Sequence, residues 1–324
     1  MSTLRLEKNL SLQLVQGGAY IVFALILLYF TQFAPNFLSI TNIANIFAQT
    51  SILGILAFGL TTVIIAGGGN VIQGGIDLSV AATLGFTSAI YASLLNHGNG
   101  DTAAVVIAVL AGGAVGVING IAVVLFRLPP LLATLAVMNL VAGFELVLTQ
   151  NTVLPASSNL ITLLSGTDQF GIPLLGYLLI AVALFLILLV QFTPFGLRLY
   201  AIGEHKEAAR SIGLATKRYI FISYIISGLC GGISGVCASV FFSGSSTGSG
   251  EYLLPVVAIA LLGVVFSRRF VPTIGGTLLS GLFIGSLING FQLLNISNFW
   301  VNGVQGALIL LIVAASTFLR GKEA

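Results

Sequence analysis

Charged residues are scarce in this chain of 324 residues. Aspartate, glutamate, lysine and arginine make up 6% of the sequence, whereas 57% is hydrophobic. A soluble domain carries about 25% charged residues, because its surface must face water. The scarcity therefore excludes an ordinary soluble protein and predicts that lipid surrounds much of the chain. A nucleic-acid partner is not expected either, because no basic stripe alternates with aromatic residues.

Cysteine and histidine are also rare, with two of each. Cys230 and Cys237 share one apolar run, where seven residues of helix correspond to about 10 Å of rise, too far for a disulfide. His97 and His205 are distant from both cysteines, so no metal-ligand cluster is indicated. No GxxxxGK[ST] sequence occurs, so the chain has no P-loop for ATP. We expect neither a cofactor nor a catalytic centre.

Long apolar runs are abundant. A spanning helix needs roughly 20 predominantly apolar residues, and the chain has room for about ten such helices. We predict an all-α membrane protein with a single transmembrane domain, residues 1–324, and a glycine-rich break at residues 67–75 before the third span. The predicted spans are residues 17–33, 43–66, 78–95, 102–126, 131–150, 174–192, 219–242, 252–266, 273–294 and 299–319.

The basic residues predict the orientation. With ten spans and a cytoplasmic N-terminus, all 12 lysines and arginines fall on the cytoplasmic side, as the positive-inside rule requires. Both termini, the short N-terminal segment 1–16 and the loop 194–218 are then cytoplasmic. Gly112, Gly116 and Gly120 repeat at four-residue spacing, which predicts close helix packing in lipid.

The loop 194–218 is the longest segment predicted on the cytoplasmic side and the one rich in charge. Good helix formers from Glu204 to Ile212, followed by Gly213 as a stop, predict a short surface helix. Two roles fit this pattern: a solvated connector that anchors the topology, and a docking helix for a cytoplasmic partner.

Several stretches resemble the permease subunits of ribose-type ABC sugar importers. EAARSIG, residues 207–213, matches the EAA-x-x-x-G coupling loop of ABC importer permeases, and GGIDLSVAATLGF, residues 74–86, is close to the GGIDLSVG signature. Residues 35–65 and 276–311 also match, so the resemblance covers well over half of the chain. Two stretches depart from the family pattern: residues 67–74 form a longer link, and residues 266–272 replace a glycine-rich turn.

The resemblance implies a transport subunit without enzymatic activity, placed as a multi-pass protein in a bacterial cytoplasmic membrane. The implied partners are cytoplasmic ATP-binding subunits, an external or periplasmic solute-binding protein and a second permease subunit, identical or homologous, besides membrane lipid. The implied residues of ATPase coupling are Glu204, Glu207, Ala208, Ala209 and Gly213. The solute is not encoded in any motif, since in this class the binding protein does much of the selection.

Polar residues within or beside the spans are candidates for the solute pathway. Uncharged amides suit a neutral polyhydroxylated solute, because they donate and accept hydrogen bonds without requiring a counter-charge. Hydrogen bonds between helices are the competing role, and Asp77 can instead support the start of the third span. The candidates are Asn70, Gln73, Asp77, Ser79, Asn139, Asn289, Gln292, Asn302 and Gln305.

An ion-coupled secondary transporter is the alternative function. Such proteins usually place ionisable groups in the membrane for the coupling ion. Asp77 and Glu145 are the acids predicted within spans, and no basic residue accompanies them. Glu145 is expected to reach water at the external end of its helix.

Overall fold

The computed structural model describes residues 2–68, 75–169, 171–246, 248–267, 270–297, 299–307 and 309–310. Within these ranges the chain is helical, and its extended pairing consists of two isolated bridges, Pro155 with Gly244 and Thr167 with Pro173. A π-helical turn, Ile121–Leu125, extends α4, a 3-10 turn, Ser249–Tyr252, precedes α11, and residues 299–307 are also helical. The helices are α1 (Ser2–Phe33), α2 (Ile40–Gly67), α3 (Val80–Asn96), α4 (Asp101–Gly120), α5 (Pro130–Thr149), α6 (Asn159–Ser165), α7 (Leu174–Gln191), α8 (Pro194–Glu204), α9 (Lys206–Ser211), α10 (Thr216–Phe242), α11 (Leu253–Val265) and α12 (Ile274–Leu293).

Six helices are long and apolar enough to cross a membrane: α2, α4 with its π turn, α5, α7, α10 and α12. Shorter apolar helices, Tyr20–Phe33, Val80–Asn96 and Ser249–Val265, accompany them. These positions agree with the predicted apolar runs to within a few residues, and the all-helical class is confirmed. The count of ten spans and the cytoplasmic placement of both termini stay predictions.

Helix α2 is the centre of the bundle. Every residue from Thr50 to Ala66 is buried, and α2 contacts α7, α10, α11 and α12. Its first turn is capped by Ser39, whose side chain accepts a hydrogen bond from the backbone N–H of Asn42. A helix that is apolar all round belongs in the interior, so α2 is surrounded by protein rather than lipid. Helices α5 and α7 are peripheral, with 28% and 33% of their spanning windows buried.

Glycines bring α4 and α10 into backbone contact. A Cβ on Gly112 would meet the carbonyl oxygen of Gly228, and a Cβ on Gly228 would meet that of Gly112. A Cβ on Gly116 would likewise meet the carbonyl oxygen of Tyr224. The four-residue glycine spacing therefore serves close packing, as the sequence predicts.

Three predicted boundaries differ in the structure. Helix α1 begins at Ser2, so the N-terminal segment continues into the first apolar run without a break. The loop predicted at residues 151–173 contains α6, which is capped by the side chain of Ser158. The short helix predicted from Glu204 to Ile212 is present as α9, Lys206–Ser211, but the sequence did not predict α8, which precedes it and ends at Glu204. His205 separates them with extended backbone angles, φ −146° and ψ 85°, which end the first helix.

Candidate solute cavity and coupling segment

A cavity of about 300 Å³ lies between α2, α10, α11, α12 and the helical residues 299–307. Three of the predicted pathway residues, Gln292, Asn302 and Gln305, line it together. Gln49 of α2 and Glu251 of the 3-10 turn add two polar side chains that the pattern of the sequence did not single out. Apolar side chains, among them Ile52, Leu53, Phe241, Tyr252 and Ile288, form the rest of the wall.

Polar atoms on this wall lack partners among the described residues. Gln305 is fully buried, and neither its Nε2 nor its Oε1 makes a hydrogen bond. Gln49 donates from Nε2 to the Oε1 of Gln292 at 3.3 Å, while its own Oε1 is buried and unpaired. Buried polar groups are nearly always hydrogen-bonded, so each unpaired one needs an explanation. These three unpaired atoms make the cavity the candidate site for a small polar ligand.

The other amide candidates lie elsewhere. Asn289 is buried and accepts a hydrogen bond from Nδ2 of Asn42 at 2.8 Å, which ties α12 to α2. Asn139 is exposed on α5 and donates to the carbonyl oxygen of Leu135 in its own helix. Neither side chain lines the cavity, so the competing role in helix packing fits Asn289 better. Asn70 and Gln73 lie outside the described residues.

Asp77 joins three helices. Its Oδ1 accepts hydrogen bonds from the backbone N–H of Ser79 at 3.0 Å, from the Ser79 hydroxyl at 2.6 Å and from Nδ2 of Asn119 at 3.3 Å. Its Oδ2 accepts one from the hydroxyl of Ser227 at 2.8 Å. Asp77 and Ser79 are both buried just before α3 begins at Val80, and neither lines the cavity. The geometry favours support of the junction between α3, α4 and α10.

Helix α9 ends in a glycine cap. Gly213 has a φ of +86°, its N–H donates to the carbonyl oxygen of Arg210, and the N–H of Leu214 donates to that of Ala209. This pair of hydrogen bonds is the Schellman arrangement, in which the left-handed residue is usually glycine. The predicted stop at Gly213 is confirmed.

The two faces of α9 differ. Ala209 is buried beneath the helix, whereas Glu207 and Ala208 are exposed, as is Glu204 at the end of α8. Ile212 follows α9 with 78% of its surface exposed, although it is a large apolar residue in a charge-rich segment. Sequence patterns alone did not single out Ile212, although its position four residues after Ala208 predicts that the two side chains lie on the same side of the helix. An exposed apolar side chain in a charge-rich segment is suited to contact with another protein.

Helix α8 rests on the end of α2. A Cβ on Gly203 would meet the carbonyl oxygen of Ile65, and a Cβ on Gly68 would meet that of Gly203. Nearby, the Tyr200 hydroxyl donates to the carbonyl oxygen of Pro272 at 2.7 Å. Burial raises the pKa of Tyr200 to about 12, so the hydroxyl keeps its donor proton at neutral pH. The segment that carries α9 is thereby fastened to the helix that lines the cavity.

Glu145 does not reach water as expected. It is 5% exposed, and its Oε2 accepts a hydrogen bond from the hydroxyl of Ser249 at 2.9 Å. The prediction that the Glu145 side chain extends to external water is wrong. The carboxyl group lies against Gly85 of α3 instead, at a position where a Cβ on Gly85 would overlap it.

Comparison with known proteins agrees with the membrane architecture. A family model described as "Branched-chain amino acid transport system / permease component" matches residues 42–313. The ribose import permease protein of Bacillus subtilis is 33% identical over 282 residues, 86% of this chain and 85% of that protein. The Escherichia coli ribose import permease protein is 30% identical over 93% of each chain. The L-arabinose ABC transporter permease protein of Azospirillum brasilense is 28% identical over 95% of this chain and 89% of its own. No solved structure matches the chain.

Proposed function

The chain belongs to this permease family, among the ribose-type ABC sugar permeases, and from this premise we propose that it carries a neutral polyhydroxylated solute through the cavity between α2 and α12. Members of this family are transport subunits, and ATP hydrolysis belongs to a separate subunit. A sugar of the pentose or hexose class fits the proposal, since relatives are named for ribose, L-arabinose and D-allose.

The unpaired amide atoms of the cavity carry this proposal. Gln305 presents a donor and an acceptor, and Gln49 presents an acceptor, all buried and without partners among the described residues. A sugar hydroxyl can donate and accept at once, so it complements amides without introducing charge. The cavity volume of about 300 Å³ falls at the lower end of the range for small-molecule sites, which suits a monosaccharide.

Helix α9 is the proposed contact with the ATP-binding subunit. Glu204, Glu207 and Ala208 face outward, Ala209 holds the helix to the bundle, and Gly213 ends it. Carboxylates at the rim of such a contact orient a partner more than they strengthen its binding. A displacement of α9 would be transmitted through α8 to the end of α2.

The proposed assembly lies in a bacterial cytoplasmic membrane, with ten spans, both termini in the cytoplasm and lipid around the peripheral helices. Its other members are two cytoplasmic ATP-binding subunits, an external or periplasmic solute-binding protein and a second permease, identical or homologous. The secondary-transporter alternative is disfavoured by the family. In addition, Asp77 and Glu145 are hydrogen-bonded to serines and do not line the cavity.

Reconstitution tests this function. The permease, its ATP-binding subunits and its solute-binding protein are placed in proteoliposomes, and uptake of radiolabelled ribose, arabinose and allose is measured with ATP or with an ion gradient. We expect ATP-driven uptake of at least one sugar. Gln305→Ala should lower it by about tenfold, the scale of one lost polar contact to a buried solute. Asn139→Ala is the matched control and should transport normally. Uptake driven by the ion gradient would contradict the proposal.

A further inference from the structure

The segment between α10 and α11 forms one wall of the cavity. Gly248, Glu251 and Tyr252 line the cavity from this segment, and the 3-10 turn Ser249–Tyr252 supplies two of them. We refer to residues 248–252 as the wall turn. A short turn without its own core keeps its position only through contacts with neighbouring elements.

The residues just before the wall turn are fixed by hydrogen bonds. The backbone N–H of Ser245 donates to the carbonyl oxygen of Leu154 at 2.8 Å, and the N–H of Leu154 donates to the Ser245 hydroxyl at 2.9 Å. The N–H of Ser246 donates to the hydroxyl of Ser88 in α3 at 3.0 Å. These bonds hold residues 244–246, and the side chain of Ser246 in turn interacts with the Tyr252 hydroxyl of the wall turn.

Glu145 supplies a second side-chain contact to the wall turn, besides the one between Ser246 and Tyr252. Its Oε2 accepts the hydrogen bond from Ser249, and Glu145 is itself almost entirely buried. A Cβ on Gly85 would overlap both the Glu145 carboxyl group and the Cβ of Ser249, so the three residues fit one another closely. An acid in the membrane interior is costly and is usually retained for a functional reason. Here the carboxyl group of α5 reaches past α3 to accept the hydrogen bond from this turn.

We infer that Glu145 is a positioning residue for the cavity wall. By accepting the hydrogen bond from Ser249, it fixes the positions of Glu251 and Tyr252 in the cavity wall. It thereby affects the binding of a solute in the cavity. This inference rests on the proposed function of the cavity as the solute pathway. It assigns Glu145 to transport through Ser249, without direct contact with the solute.

The anchor can be measured without any transport. Gly250 is exposed, and a Cβ there meets nothing within 4 Å, so Gly250→Cys places a reporter thiol beside Ser249. The full chain carries this change in lipid nanodiscs, with Cys230→Ala and Cys237→Ala, and its rate of reaction with a water-soluble maleimide is measured. Glu145→Ala and Ser249→Ala should each raise the rate by about tenfold, the scale of losing a hydrogen bond between buried groups.

Two further variants sharpen the comparison. Glu145→Gln keeps an oxygen acceptor for Ser249 and should stay within about threefold of the parent rate. Ser165→Ala changes an exposed serine that bonds only within its own helix, and it should leave the rate unchanged. Ser249→Ala removes the donor of the same hydrogen bond, so it tests the anchor even if Glu145→Ala does not fold. Equal labelling rates in all variants would overturn the anchor.

Uptake kinetics then separate this inference from the proposed function. In proteoliposomes with radiolabelled ribose, Glu145→Ala should raise KM by about tenfold, and Glu145→Gln should restore it. A purely structural role would reduce the amount of active protein and leave KM unchanged. Faster labelling with an unchanged KM would overturn the link to transport and count against the cavity as the pathway. Unchanged labelling would overturn the anchor whatever the uptake shows.

Discussion

Gly203 of α8 and Gly68 at the end of α2 lie backbone against backbone. A Cβ added to Gly68 would overlap the carbonyl oxygen of Gly203, and a Cβ added to Gly203 would come within 3.1 Å of the Gly68 nitrogen. Gly68 also has a φ of +84°, which side chains with a Cβ rarely adopt. The contact connects the predicted ATPase-docking segment to the helix that carries Gln49 in the cavity. It is therefore the expected point of force transfer between the two.

Replacing Gly203 with valine should separate α8 from α2. Close packing at this position leaves no space for the side chain, so we expect solute-stimulated ATP hydrolysis and uptake to fall by about tenfold or more, in line with an overpacking cost of 1–3 kcal/mol. Hydrolysis and uptake are measured in proteoliposomes. Gly143→Val is the control, because a Cβ there meets nothing within 4 Å. Full coupling in Gly203→Val would refute this route of transfer.

The exposed side of α9 should bind the ATP-binding subunit. Ala208→Arg and Ile212→Asp change exposed positions, so the permease should fold normally but co-purify with about tenfold less ATPase, the range seen for interface anchors. Gly213→Val should act on the end of α9 itself rather than on its exposed side, because it strains the left-handed cap by roughly 1 kcal/mol. Lys217→Ala, also exposed, is a suitable control. Undiminished co-purification in both surface variants would remove α9 from the interface.

Thiol labelling in intact cells tests the predicted topology. His97 and Lys206 are both exposed, one before α4 and the other at the start of α9. A cysteine at position 97 should react with an impermeant reagent from outside, and a cysteine at position 206 should react only after permeabilisation. The native cysteines are buried, and a background without them serves as the control. External labelling at position 206 would contradict the ten-span arrangement.

The Asp77 junction predicts a graded loss of stability. Asp77→Asn retains one oxygen acceptor for Ser79, whereas Asp77→Leu leaves the buried hydroxyl groups of Ser79 and Ser227 without the acceptor that Asp77 supplies. An unsatisfied buried group costs about 1–3 kcal/mol, so Asp77→Leu should lower the unfolding temperature more than Asp77→Asn. Thermal unfolding of the purified protein measures this order. Unfolding temperatures equal to that of the parent protein in both variants would show that the junction does not depend on Asp77.

The apolar runs predicted the helices well, because the thickness of a bilayer dictates the length of a span. Glycine spacing likewise predicted close helix packing at Gly112 and Gly116, since only small residues allow two backbones to approach, but it did not identify α10 as the partner. The cap at Gly213 was predictable for the same kind of local reason. Each of these features depends on residues that are close together in the sequence, so a local sequence pattern is enough to predict it.

The orientation of individual polar side chains was not predictable in this way. Asn289 and Gln292 are three residues apart on α12, yet Asn289 bonds to Asn42 while Gln292 lines the cavity. Which of them faces the cavity depends on how α12 is rotated against α2, and tertiary packing sets that rotation. The hydrogen bond that Ser249 donates to Glu145 joins residues 104 positions apart, so no local sequence pattern predicts it.

The burial of α2 also bears on how the solute preference of such a permease can evolve. From Thr50 to Ala66 every residue of α2 packs against protein, so substitutions there disturb several helices at once. On the opposite wall, Gln292 and Asn302 are exposed to the cavity and carry fewer packing constraints. Mutations that adapt the permease to a different sugar should therefore accumulate on α12 and residues 299–307, while α2 remains nearly unchanged between lineages.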